Sequence, residues 1–184
     1  MGSWIDQAAT LAYHILAEEA PAALPVDVAA LIRSQSGTEL LTYAQAALIL
    51  DLTPDQWRWE APSPDAFTLI EHQRTPARYK IFYDETKPLT RQRFTLAHEL
   101  GHLLFHQLGD ASTEAAVDCF ARHLLCPPVL MHGLPSQPLQ EAWLCRTFGL
   151  SPAAVARLLK SPCGQVDPTL AHQVRAKFTP VITR

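Results

Sequence analysis

The densest chemistry in the chain lies in one stretch, Phe94-Thr-Leu-Ala-His-Glu-Leu-Gly-His-Leu-Leu-Phe-His106. His98, Glu99 and His102 form the pattern H-E-x-x-H. The stretch has no proline and is rich in residues that tolerate a helix. Thr90 is the expected N-cap and Gly109 the expected terminator. Residues four apart on a helix share a face, with Cβ atoms about 5–6 Å apart. His98 and His102 can therefore grip one ion, each at about 2.0–2.1 Å if the ion is zinc. Glu99 points one step further round, where it can reach a water at the metal. A helix with two surface histidines and a solvated glutamate would carry the same letters. The helix is apolar nearly all round, however, so it should be buried, and its polar groups then need partners.

A catalytic zinc takes three protein ligands and keeps one position open. His106 is a poor third ligand, because it lies about 12 Å along the helix from His98. A cation near a helix end is its simpler role. Glu114 is the better candidate. It opens a second helical stretch, Thr113–Leu125, after the short polar segment 107–112, which suits a turn between antiparallel helices. Asp118 follows four residues later on the same face, where a carboxylate can hold the free N–H of a ligating imidazole. His106, His123 and Cys119 stand next in line should Glu114 prove only an acid favoured by the helix N-terminus.

These two segments, Arg93-Phe-Thr-Leu-Ala-His-Glu-Leu-Gly-His102 and Glu114-x-x-x-Asp118-x-Phe-Ala-x-x-Leu-Leu-x-Pro127, resemble the ImmA/IrrE family of gluzincin-like zinc metallopeptidases. Phe67–Ile70, Tyr79–Tyr83 and Phe148–Leu159 are similar to its strands and its downstream helices, so the likeness spans roughly residues 20–160. Family members typically carry Asn at the position of Asp118 and often Met at that of Cys126. The first change keeps a hydrogen-bond acceptor and adds charge, and neither removes a proposed ligand. The resemblance implies a cytoplasmic zinc endopeptidase that cleaves a helix-turn-helix repressor of a phage, mobile element or stress response. On this reading His98, His102 and Glu114 hold Zn²⁺, Glu99 is the general base and Asp118 orients a histidine. Tyr83, His123 and His106 are oxyanion candidates by nearness in sequence alone. The alternative is a non-catalytic regulator that binds such a repressor, with zinc serving only structure. A closed site of four protein ligands would mark that case.

The implied fold is α+β and zincin-like: a small antiparallel sheet packed by helices, with the zinc between two of them. The metallopeptidase core is expected over 1–128 and a helical C-terminal subdomain over 129–184. In the core, Phe67–Glu71 and Arg78–Tyr83 read as a hairpin joined by 72–77. The strand Arg78, Tyr79, Lys80, Ile81, Phe82 and Tyr83 can serve as an edge that receives an extended substrate. The other reading is a strand covered by its neighbours.

The remaining chain sets limits. Its 184 residues suit one domain with a small appendage, and 48% hydrophobic against 18% charged residues allows a real core. A net charge of −3 gives no footprint for nucleic acid. No apolar run approaches the roughly 18 residues of a membrane span, and no secretory signal is expected from the opening residues, which lack a basic and then an apolar region. Cys119, Cys126, Cys145 and Cys163 form no C-x-x-C, and a reduced cytosolic chain is the simplest account. Helical periodicity marks 3–20, a segment from Val26, 44–50, a start at Thr53-Pro54, and 140–148, 152–159 and 169–178. A short strand is expected at 40–43. The pair around Gly149 resembles half of a helix-turn-helix, but Arg146, Arg157 and Lys160 are too few cations for DNA, so a packing role is expected. Oligomeric state and the identity of the target are not encoded in any of these signals.

Overall fold

Local capping chemistry sets several of the element boundaries. Ser3 Oγ accepts from the Asp6 backbone N–H while the Asp6 carboxylate accepts from Ser3 N–H, closing a capping box. Thr42 with Gln45, and Thr53 with Gln56, repeat that box, the latter with Pro54 in the first turn. The computed structural model describes residues 3–73, 76–109, 113–131, 139–160 and 164–182. In order come α1 (Trp4–His14), a π-helical turn (Ile15–Glu19), α2 (Val28–Ser34), β1 (Thr38–Thr42), α3 (Tyr43–Ile49) and α4 (Pro54–Glu60). Then follow β2 (Ala66–Glu71), β3 (Arg78–Tyr83), α5 (Leu89–Gln107), α6 (Glu114–Leu125), a 3₁₀ turn (Pro128–Met131), α7 (Leu139–Phe148), α8 (Pro152–Lys160) and α9 (Pro168–Ile182). The class is α+β. Among the described residues no helix is long and apolar enough to cross a membrane. The expected hairpin loop and the 107–112 turn fall partly outside the described residues. Most of the loop after Met131, residues 132–138, and Cys163 also lie outside them.

The chain divides into two compact units. One comprises Met1–Asp27 with Asp110–Arg184. Its centre is the contact of α1 with α6; α1 buries Ala8, Ala9 and Ala12, and α6 buries Ala116, Val117 and Phe120 among others. Small side chains on both helices permit the close approach. Gly164 lies against α1 with φ +71, and a Cβ there would fall 2.5 Å from Ala9 Cβ and 2.8 Å from the Ile5 carbonyl oxygen. Tyr13 is buried, and its hydroxyl accepts from Val129 N–H at 3.2 Å. Burial pushes its phenol up to about 12. The π turn ends against α9, where Lys177 Nζ donates to the Leu16 and Ala17 carbonyls, both at 2.9 Å. An ammonium on the last carbonyls of a helix is favoured by its dipole.

The other unit is Val28–Gly109. Its sheet has the order β1-β3-β2. β2 pairs antiparallel with β3, placing Thr68 opposite Ile81, as the expected hairpin requires. β1 pairs parallel with β3, Leu40 opposite Ile81, so the sheet is mixed rather than antiparallel throughout. The parallel pair is reached by a long connection through α3, α4 and β2, as parallel geometry demands. This corrects the expectation for Arg78, Tyr79, Lys80, Ile81, Phe82 and Tyr83. Both sides of that strand are occupied, so it is the centre of the sheet and offers no free edge to a substrate. Phe67 and Phe82 stack at 5.0 Å and pack with Tyr43 and Trp57. Trp59 is exposed, so of the tryptophans on α4 only Trp57 belongs to this packing.

The connection from β3 into α5 is held by a buried carboxylate. Asp84 Oδ1 accepts from Thr86 N–H at 3.0 Å, Thr86 Oγ1 at 2.7 Å and Arg58 Nε at 3.3 Å, and Lys87 lies 3.4 Å from Oδ2. Burial pushes this carboxyl up, but the Thr86 and Arg58 hydrogen bonds outweigh it and hold the group below its ordinary value. A depressed carboxyl adds stability above its unfolded pKa near 3.9 and loses that stability as pH falls through the lower folded value. Urea unfolding across a pH series should therefore show stability declining below about pH 4. Asp84→Asn should flatten part of that decline and cost about 1–3 kcal/mol at neutral pH. An unchanged acid limb would assign the decline to other groups.

Candidate metal centre

α5 spans 19 residues and buries Leu96, Ala97, Leu100, Gly101, Leu103, Leu104 and Phe105, the wide apolar surface its sequence requires. Its start differs from expectation. Pro88, not Thr90, is the N-cap, without a side-chain cap bond. Order there comes instead from Gln92, whose Nε2 donates to the carbonyls of Glu85 and Lys87 at 2.8 and 2.6 Å. Gly109, at φ +74, terminates the helix as expected, in the left-handed region that glycine adopts without strain.

Held by this burial, His98 and His102 turn toward each other. Their Nε2 atoms are 3.1 Å apart and their rings lie edge to face at 72°. Two donors at 2.0–2.1 Å on a tetrahedral ion stand about 3.3 Å apart. The imidazoles are thus within a few tenths of an ångström of a two-point grip. A proton on either Nε2 would use the same short separation for a hydrogen bond, so protons and metal compete for the pair. Glu114, the first residue of α6, is the candidate third donor. One ligand atom from each of His98, His102 and Glu114 lies within 4.8 Å of the other two. Two imidazoles and a carboxylate suit zinc and leave one of four positions for solvent. Thr113 caps α6 by accepting from Ala116 N–H at 3.2 Å, which fixes where Glu114 begins the helix.

Glu99 is only 8% exposed, and its Oε2 accepts a 2.6 Å hydrogen bond from the Thr68 hydroxyl on β2. Thr68 was not singled out by sequence. A lone threonine in a strand carries no signal of a partner on a helix far along the chain.

The reserve ligands are occupied elsewhere. His106 Nδ1 and the Tyr79 hydroxyl are 3.0 Å apart, with the His72 ring beside them. His123 is buried, with Nδ1 3.0 Å from the Cys119 carbonyl, so that nitrogen carries the proton and donates. Cys119 Sγ donates to the Ile5 carbonyl at 3.6 Å. Asp118 is half-buried on α6, and Tyr83 ends β3 opposite Thr42 and Ala66.

The family model for M78 peptidases, described as the IrrE N-terminal-like domain, matches residues 63–160. The chain belongs to this peptidase family. No curated protein and no solved structure matches the chain. The matched span of this M78 member runs from β2 to α8 and carries all three grouped donors together with Glu99.

Outer-sphere partners of a metal cost about 10–100-fold in affinity when removed, and a direct ligand should cost more. Glu114→Ala is therefore expected to weaken zinc binding by more than about 100-fold in a competition titration with a chelating dye. Unchanged affinity would move the third ligand to another side chain.

Proposed function

We propose that this M78 family member is a zinc-dependent endopeptidase. The observation that carries the reading is the convergence of His98, His102 and Glu114 beside a buried glutamate one residue from the first histidine. Zinc in that group would supply Lewis acidity, lowering the pKa of water and polarising the scissile carbonyl. Glu99 takes the proton of the attacking water and returns it to the leaving amine, a task worth about 10²–10⁴ in rate. Asp118 orients a ligating imidazole through the ring nitrogen that does not face the metal.

An extended substrate pairs with β2. This strand carries Thr68, which touches Glu99, and among the described residues it has a strand neighbour on one side only. Main-chain pairing holds a substrate irrespective of its side chains, so selectivity must come from pockets or from a docking partner. The substrate we propose is a helix-turn-helix repressor, on the strength of the family likeness. A cytoplasmic setting fits Cys119, Cys126 and Cys145, none of which forms a disulfide among the described residues.

The test is co-expression with candidate helix-turn-helix repressors, beginning with any encoded beside the chain. The wild-type chain should cut one of them, and Glu99→Gln should keep its zinc while losing about 10²–10⁴ of the rate. A Gln variant of full activity would remove Glu99 from the mechanism. A wild-type chain that binds a repressor without cutting it would favour the non-catalytic regulator.

A further inference from the structure

We propose that Thr68 is a positioning residue for Glu99, selecting which carboxylate oxygen handles the proton. The inference rests on the peptidase reading above and adds a residue to it.

The sheet register places Thr68 in an unusual position. Ala66, Thr68 and Ile70 of β2 stand opposite Tyr83, Ile81 and Tyr79 of β3. This row faces α5, because the Tyr79 hydroxyl meets His106 and the Thr68 hydroxyl meets Glu99. Ala66, Tyr79 and Ile81 in the row are buried. The alternate row carries the Phe67–Phe82 stack. A position flanked by Ala66 and Ile70 and facing Ile81 is one where valine would pack as well as threonine. The hydroxyl therefore serves something other than packing, and it is aimed at the carboxylate.

The geometry limits what that hydroxyl does. A hydroxyl has one proton, and 2.6 Å is the length of a charge-assisted O–H···O⁻ bond. Thr68 donates, and Oε2 accepts. Among the described residues this is the one hydrogen bond the Glu99 side chain makes. The carboxylate plane is thereby pinned to β2, Oε2 is engaged, and Oε1 is left for the water proton. A glutamate side chain has three rotatable bonds, and a reacting group misplaced by about 1 Å can cost on the order of 10²-fold in rate. A β-branched threonine in a strand is itself stiff at χ1, so the donor is held in place before substrate arrives.

The experiment compares Thr68→Val, which removes the hydroxyl at similar volume, with Thr68→Ser, which retains it. Zinc-loaded chains are assayed on a purified helix-turn-helix repressor that the wild-type chain cuts on co-expression, with Glu99→Gln alongside. Thr68→Val should keep full zinc and a KM within about twofold, while kcat falls about 10- to 100-fold. Thr68→Ser should stay within about threefold of wild type. In the zinc-free chain, a cycle of Thr68→Val with Glu99→Leu should show non-additive urea unfolding. Thr68→Val should raise the unfolding constant about tenfold when Glu99 is present and change it little when it is Leu.

Wild-type kcat in Thr68→Val, or additive unfolding effects, overturns the proposal while leaving the peptidase reading intact. Loss of zinc or of the fold in Thr68→Val, or equal impairment in Thr68→Ser, assigns Thr68 to structure alone and also overturns it. A wild-type chain that cuts nothing defeats both readings together.

Discussion

The site depends on two imidazoles one helical turn apart that face each other, their Nε2 atoms 3.1 Å apart. A surface histidine samples several rotamers, and two of them would meet at 3.1 Å only occasionally. Here the helix beneath them is buried along most of its circumference, from Leu96 to Phe105, so its rotation about its own axis is fixed. The apolar residues of α5 thus set the direction of the polar ones. Ordering two side chains in advance removes entropy that metal binding would otherwise have to overcome.

The same burial creates a second requirement. A glutamate next to His98 is carried into the interior, and a buried carboxylate without a donor is costly. The Val28–Gly109 unit meets that need from the sheet through Thr68. It anchors the approach to α5 through Asp84 and through Arg91, whose guanidinium reaches Asp65 at 2.7 Å. Stability and chemistry therefore draw on the same few residues in this unit. The polar groups near α5 lie where the packing would otherwise be apolar.

Much of this was legible in the chain itself. H-E-x-x-H names a helix face and a chemistry at once, and Glu114 could be nominated because a known number of ligands was missing; the structure groups it with the two histidines. Periodicity and capping residues located α1, α4, α7 and α8 closely. What failed was whatever depended on distant partners. Arg78–Tyr83 looked like half of an isolated hairpin, because its parallel neighbour Thr38–Thr42 comes before two helices and another strand. Register and strand order are tertiary facts, and a strand's own residues say little about what lies on its far side. Thr90 resembled an N-cap, but the helix began two residues earlier than that cap implies, at Leu89, with Pro88 as its cap and Gln92 securing the loop carbonyls. Thr68 was invisible for a similar reason: its hydroxyl has meaning only once β2 is known to face α5.

The most direct measurement is X-ray absorption at the zinc edge on the metal-loaded chain. The account predicts four light-atom neighbours: two imidazole nitrogens and a carboxylate oxygen near 2.0–2.1 Å, and one oxygen exchangeable with solvent. A thiolate at about 2.3 Å, or a shell closed by four protein ligands, would contradict a catalytic centre built on His98, His102 and Glu114.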